Sequence, residues 1–278
     1  MSKIFAPFGL SDELYEKNCE NAFSALLYLK NIGLNGFEYD LSEGIHISSD
    51  GCKTLKDTAQ ENGISLSFYL GGLYNVSAAD KKIRENGIKY LADCIKAAKS
   101  AGAKRVVIPL ESCALIGRKT VFERTVYAFK RALFTAEADE IILCPELMGK
   151  IHDFGTFDEI LSVCKIDERF VPALNFANLF AREQGKAMSQ EYIKKLFSDT
   201  EKKLGKERAD KLHIYISKAY FTNQGLKKYA DFSDDEAPKL DITPITEELK
   251  QKNPFIVCRS PYKNLTDTIY IKERILNS

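Results

Sequence analysis

The chain has 278 residues, 45% of them hydrophobic and 28% charged, with 40 Lys and Arg against 39 Asp and Glu. That is enough apolar material for a full core without disulfide or metal staples, and the near-zero net charge lowers the prior for a surface built to neutralise many phosphates. The opening MSKIFAPFGLSDELYEK lacks the apolar core and small-residue cleavage site of a secretory signal, and no apolar run approaches the roughly 20 residues needed to cross a bilayer, so a soluble, cytoplasmic protein is expected.

Short β-rich runs alternate with longer segments of helical period. The first strand is expected over 3–9, followed by one helix that Ser11 opens and Gly33 ends. GFEYD, 36–40, is the second strand, and a helix through Leu55 and Ala59 stops at Asn62-Gly63. The third strand covers 65–71; a long helix from about Lys81 to Gly102 leads to the fourth, 105–111. A helix from about Val121 precedes the fifth strand, 140–146, and a helix from Thr156 to Lys165 precedes the sixth, 170–176. A helix from about Gln190 to Gly205 leads to the seventh, 211–218. The polar stretch 221–241, rich in Lys and Asp, reads as a long loop or as disorder. A short helix at 245–250, the eighth strand at 255–260 and a closing helix near 269–275 complete the pattern.

Eight strand–helix units are the number that closes a parallel (β/α)8 TIM barrel, and strands that read as continuous apolar runs suit a sheet covered on both faces. With no linker or short repeat, 1–278 reads as one domain. The seven cysteines are odd in number, form no C-x-x-C pair and mostly sit in apolar runs, as core thiols in a reducing compartment do.

In such a barrel the chemistry stands at the C-terminal ends of the strands. Those ends carry Glu38 and Asp40, Tyr69, Pro109 with Glu111, Glu146, Asn175 with Asn178, His213 with Ser217, and Arg259. Polar groups therefore converge on the later strands, as in a ligand site. Tyr69, Leu73 and Tyr74 are placed to line the mouth, whereas His46 and His152 read as exposed loop histidines.

The runs ISLSFYLGGLYNV, AGAKRVVIPLES, ILCPELMGKIHDFGTFDEIL, LNFANLFA and KLHIYIS resemble the endonuclease IV family, apurinic/apyrimidinic endonuclease family 2, within the xylose-isomerase-like barrels. The resemblance spans nearly the whole chain and implies a trinuclear metal centre at the strand ends. Position by position, however, the implied histidines are missing near Tyr69 and at Pro109, and the implied D-x-x-H falls on Asn175 and Asn178. No histidine stands around Lys228, Tyr229 and Asp231, and Arg259 replaces a glutamate; only Glu146 and His213 match. The four-ligand, single-ion pattern of the sugar isomerases and epimerases would read Glu146, Asn175, His213 and Arg259, with one of its two acid–base glutamates gone.

Amides and a guanidinium do not hold zinc, so no metal or other cofactor is expected. Two arrangements remain open: Arg259 pairs with Glu146 across the mouth, or it is free to receive a phosphate or carboxylate. The expected function is binding of a small polar or anionic ligand by Arg259, Asn175, Asn178 and Tyr69, with Glu146 and His213 left for any chemistry. The alternatives are a metal-dependent hydrolase of abasic DNA, or a sugar isomerase or epimerase, either one using zinc or manganese.

Overall fold

The structure, a computed structural model, describes residues 3–72, 74–113, 115–186 and 188–277. Its frame is eight parallel strands: β1 (Ile4–Pro7), β2 (Gly36–Asp40), β3 (Ser65–Tyr69), β4 (Arg105–Ile108), β5 (Ile142–Pro145), β6 (Ala173–Asn175), β7 (His213–Ile216) and, later in the chain, β10 (Phe255–Cys258). They run in the orders β1-β10-β7-β6 and β2-β3-β4-β5. Parallel bridges Phe8–Glu38 and Leu143–Phe170 join the two sheets at both seams, which closes the barrel. The short strands are almost wholly buried, as their apolar runs require.

Helices cover the outside: α1 (Asp12–Glu16), α2 (Ala22–Asn31), α3 (Ser49–Asn62), α4 (Lys81–Ser100), α5 (Arg118–Ala136), α6 (Phe157–Cys164), α7 (Phe176–Arg182), α8 (Gln190–Leu204), α9 (Lys206–Asp210), α10 (Thr243–Leu249) and α11 (Asn264–Leu276). Their ends follow local chemistry. Gly63 takes a left-handed conformation, φ 64°, to end α3, and Thr156 forms a reciprocal capping box with Glu159 to start α6. All seven cysteines are buried and unpaired. No helix among the described residues is long and apolar enough to cross a membrane.

Three local expectations change. The single helix from Ser11 to Gly33 is two, because Asn18 turns the chain at φ 61° and Asn21 caps a fresh start, accepting from the Ser24 amide at 3.0 Å. The sixth strand ends at Asn175, whose side chain accepts from the Asn178 amide at 3.1 Å and so opens α7 at the barrel rim. The stretch 221–241 is neither loop nor disorder through its first half. It belongs to a hairpin of β8 (Lys218–Thr222) and β9 (Gly225–Ala230) that folds over the mouth.

Glycine makes that docking possible. The Leu226 amide donates to Gly149 O at 3.0 Å, and the Ile151 amide to Gln224 O at 3.1 Å. Gly225 sits at φ 92°, and a Cβ there would lie 2.1 Å from Gly149 O. No side chain fits such an approach.

Candidate functional site

Glu146 follows β5 directly and stands on the mouth side, its side chain 1% exposed. Its Oε1 accepts from Asn175 Nδ2 at 2.8 Å, from Asn178 Nδ2 at 3.3 Å and from Arg259 Nη1 at 3.3 Å, and its Oε2 from Tyr69 OH at 3.2 Å. Of the two arrangements open for Arg259, the direct pair is the one present. Burial raises the pKa of Glu146, while the Arg259 charge and the Asn175 hydrogen bond pull it back.

Arg259 follows β10 and is 12% exposed at its side chain. Four rings surround its guanidinium: Tyr69 at 4.3 Å, Phe8 at 4.4 Å, Tyr229 at 4.8 Å and Tyr215 at 5.4 Å from Cζ to centroid. Each face-on contact of this kind contributes about 0.5–2 kcal/mol. Burial works against the charge, but Tyr229, Tyr69 and Glu146 outweigh it and hold the pKa above the ordinary arginine value.

Tyr229 comes from the hairpin. Its hydroxyl donates to Asn178 Oδ1 at 3.0 Å and accepts from Asn175 Nδ2 at 3.1 Å, and burial pushes its pKa up to about 12. Glu146, Arg259, Asn175, Asn178 and Tyr69 are thus one connected group, and the hairpin completes it. Above it opens a cleft of about 470 Å³, lined by Phe8, Ser11, Asp40, Tyr229, Arg259 and Asn264 among others.

His213 does not join them. It is the first residue of β7, not a residue of its mouth end, and it is fully buried. Its Nε2 lies 3.2 Å from Glu38 Oε1 and its ring stacks on Phe255 at 5.2 Å. Burial lowers its pKa, as do the charges of Arg105 and Arg259, against the pull of Glu38. A neutral imidazole inside the barrel wall has no route to a ligand at the mouth, so the sequence placement of His213 is corrected. Because side chains alternate along a strand, Tyr215 is the residue of that face nearer the mouth. It bridges two layers, donating to Glu38 Oε2 at 2.6 Å while its ring faces Arg259.

The remaining strand-end residues have other work. Glu38 is buried in the middle of β2 and also accepts from Ser67 Oγ at 2.8 Å. Glu111 ties down the segment before α4 by accepting the amides of Val76 and Ser77, and Tyr74 is pinned by its hydroxyl to Pro109 O. Ser217 is fully buried beyond the end of β7. His46 and His152 are exposed on loops. Leu73 lies outside the described residues.

Sequence reasoning missed Phe8, Ser11, Tyr215, Tyr229 and Asn264. Only Tyr215 had a usable signal, the alternation His213–Tyr215–Ser217 within a buried strand. Among the described residues no three His, Cys, Asp or Glu side chains are grouped to hold a metal ion.

The sequence pattern of the family described as the xylose isomerase-like TIM barrel matches residues 26–274. The uncharacterized protein MJ0133 of Methanocaldococcus jannaschii is 23% identical over 246 residues, 88% of either chain. Among solved structures, endonuclease IV from Thermus thermophilus superposes with a TM-score of 0.73 at 15% identity over 100% of both chains. The 3-keto-D-glucoside 4-epimerase YcjR from E. coli gives 0.68 at 14% identity over 98% of both. Such identities speak for the fold alone. With the match covering most of its length, the chain belongs to the xylose isomerase-like TIM-barrel family.

Proposed function

We propose that this barrel is a binding protein without a metal centre, in which the Arg259 guanidinium supplies the positive charge that a divalent ion would bring to the mouth, and that its cleft takes a small hydroxyl-rich, sugar-like molecule. The observation that carries the reading is the commitment of Glu146. Both its oxygens face donors already present, one of them a fixed cation at 3.3 Å. An ion seated there would displace those donors and stand against a like charge, so the residues present do not suit zinc, manganese or magnesium. Three donors crowd Oε1 and Tyr69 holds Oε2, in a carboxylate only 1% exposed, so Glu146 is better placed to anchor this network than to pass a proton to a ligand.

With Arg259 neutralised internally, the preference shifts from anions to neutral polar ligands. Two cleft residues favour hydroxyl partners. Ser11 is the N-cap of α1 but makes no side-chain capping bond, and its buried Oγ has no partner among the described residues. Asn264 donates to Phe8 O at 2.6 Å, while its buried Oδ1 lacks a donor. A polyol can satisfy both, and the Phe8 and Tyr229 rings offer apolar faces to a sugar. The known activities of the structural neighbours, epimerisation of a keto-glucoside and endonuclease IV chemistry, are set aside for this chain on the same ground. Buried, unpaired cysteines agree with a cytoplasmic location, and we read residues 1–278 as one domain.

Thermal-shift and calorimetric titration with neutral sugars and polyols, alongside sugar phosphates, tests the reading. At least one neutral polyol is expected to bind, and Ser11→Ala is expected to weaken it about tenfold with unchanged melting temperature, since the Oγ stabilises nothing in the free protein. Binding that requires added zinc or manganese, or binding to phosphates only, contradicts it.

A further inference from the structure

The barrel has a second opening. At the N-terminal ends of the strands lies a cavity of about 680 Å³, whose lining includes the first residues of β1, β3, β4, β5 and β10. Ile4, Leu66, Ile142 and Phe255 make much of its wall apolar. Its charged lining is one-sided: Lys56, Lys104, Arg105 and Lys211 against Glu140 alone. Glu140 is engaged by Lys99 at 3.7 Å, and Lys211 by Glu207 at 2.7 Å.

Arg105 is the unusual member. It is the first residue of β4, in register with Ser67 and Ile142. Only 9% of it is exposed, it makes no ion pair within 4 Å among the described residues, and its Nη1 is buried without a hydrogen-bond partner. Burial lowers its pKa, and the one group that works the other way is the Cys144 thiol, a weak partner for a guanidinium. The contrast with Arg259 is complete, since that buried guanidinium has a carboxylate and four rings. An unpaired buried cation is strongly disfavoured, and an anion that fills the cavity removes the penalty.

We propose that the N-terminal mouth of the barrel binds a small amphipathic organic anion, its carboxylate or sulfonate on Arg105 Nη1 with Lys104 and Lys56 at the rim, and its apolar body against Leu66, Ile142 and Phe255. Purely inorganic anions fit less well, because most of the wall offers them nothing. The carbonyl ends of α3 and α4 also open on this side, at Gln60 and at Ala101–Gly102. They disfavour negative charge, so the head group must sit on the guanidinium and not against the helix ends. The site is separate from the cleft at the opposite end and does not depend on the function proposed for it.

The test is a fluorescence titration of the full chain with 8-anilinonaphthalene-1-sulfonate, followed by competition with octanoate. One saturable site per chain is expected, displaced by octanoate. Arg105→Met should weaken it at least tenfold and Lys104→Glu about threefold. Lys119→Glu makes the same charge change at the start of α5, at the other end of the barrel, and should leave the affinity unchanged. Because Lys104 is exposed, Lys104→Glu reports on the site even where Arg105→Met folds poorly. Absence of a saturable site, failure of octanoate to compete, or native affinity in both Arg105→Met and Lys104→Glu overturns the proposal.

Discussion

Arg259→Met is expected to cost about 3–5 kcal/mol of unfolding free energy at pH 8, because it leaves a carboxylate that is 1% exposed without its cation. The loss depends on pH in a defined sense. In the native protein burial already raises the Glu146 pKa and Arg259 restrains it; without Arg259 the folded-state value rises further. A carboxyl whose pKa is higher folded than unfolded is best tolerated below the unfolded value of about 4.3, and stability is lost as pH rises through the folded one. The variant should therefore lie closer to the native protein at pH 5 than at pH 8. Urea melts at both values measure this directly. Adding Glu146→Gln should recover much of the loss at pH 8, since the buried charge goes with it, so the double variant is expected to lose less than the sum of the two single ones. Equal losses at pH 5 and pH 8, with additive singles, would mean that the two charges do not interact.

The second large effect lies one layer deeper. Glu38 is fully buried and accepts from Tyr215 OH and Ser67 Oγ, with His213 Nε2 at 3.2 Å. Glu38→Ala leaves those polar groups unmatched and opens a void, and about 4 kcal/mol of destabilisation is expected. Glu38→Gln keeps one acceptor oxygen and should cost about half as much. Tyr215 links this layer to the mouth, so Glu38→Ala is also expected to weaken any ligand held above Arg259, although no mouth residue is altered. Thermal and urea melts give the first number and ligand titration the second; a Glu38→Ala protein as stable as the native one would show that the layer is not a structural network.

Why the barrel was readable from sequence while half of the site was not follows from particular residues. Strands such as RVVI and FIVC are buried on both faces and appear as unbroken apolar runs, and the glycines and caps between them mark the turns. Glu146, Asn175, Tyr69 and Arg259 could be named together because each stands at or one residue beyond the end of its strand, where side chains face the mouth, and Asn178 follows in the first turn of α7. The strand-end position given to His213 belongs two residues further on, at Tyr215: KLHIYISK reads as a strand from end to end, yet pairing begins only at His213. A shift of two residues in a period-two element keeps the face but changes the layer.

The hairpin was hidden for a different reason. LKKYADFSDD is polar and carries no alternation strong enough to announce a strand, and what holds it is tertiary: the Gly149–Gly225 approach and the hydrogen bonds beside it. Tyr229 therefore stands in the sequence only as a position without the implied histidine, with nothing to mark its place in the site. Phe8, Ser11 and Asn264 reach the cleft from the two ends of the chain, a proximity that only closure of the barrel creates.

The central claim is that a guanidinium, not a metal ion, provides the positive charge at this mouth. Metal content by mass spectrometry, after incubation with excess zinc and manganese at pH 7.5 and removal of loosely held ions, tests it most directly. Well under one ion per chain is expected, with no change after Glu146→Gln. One or more tightly held ions per chain, lost in Glu146→Gln, would contradict it.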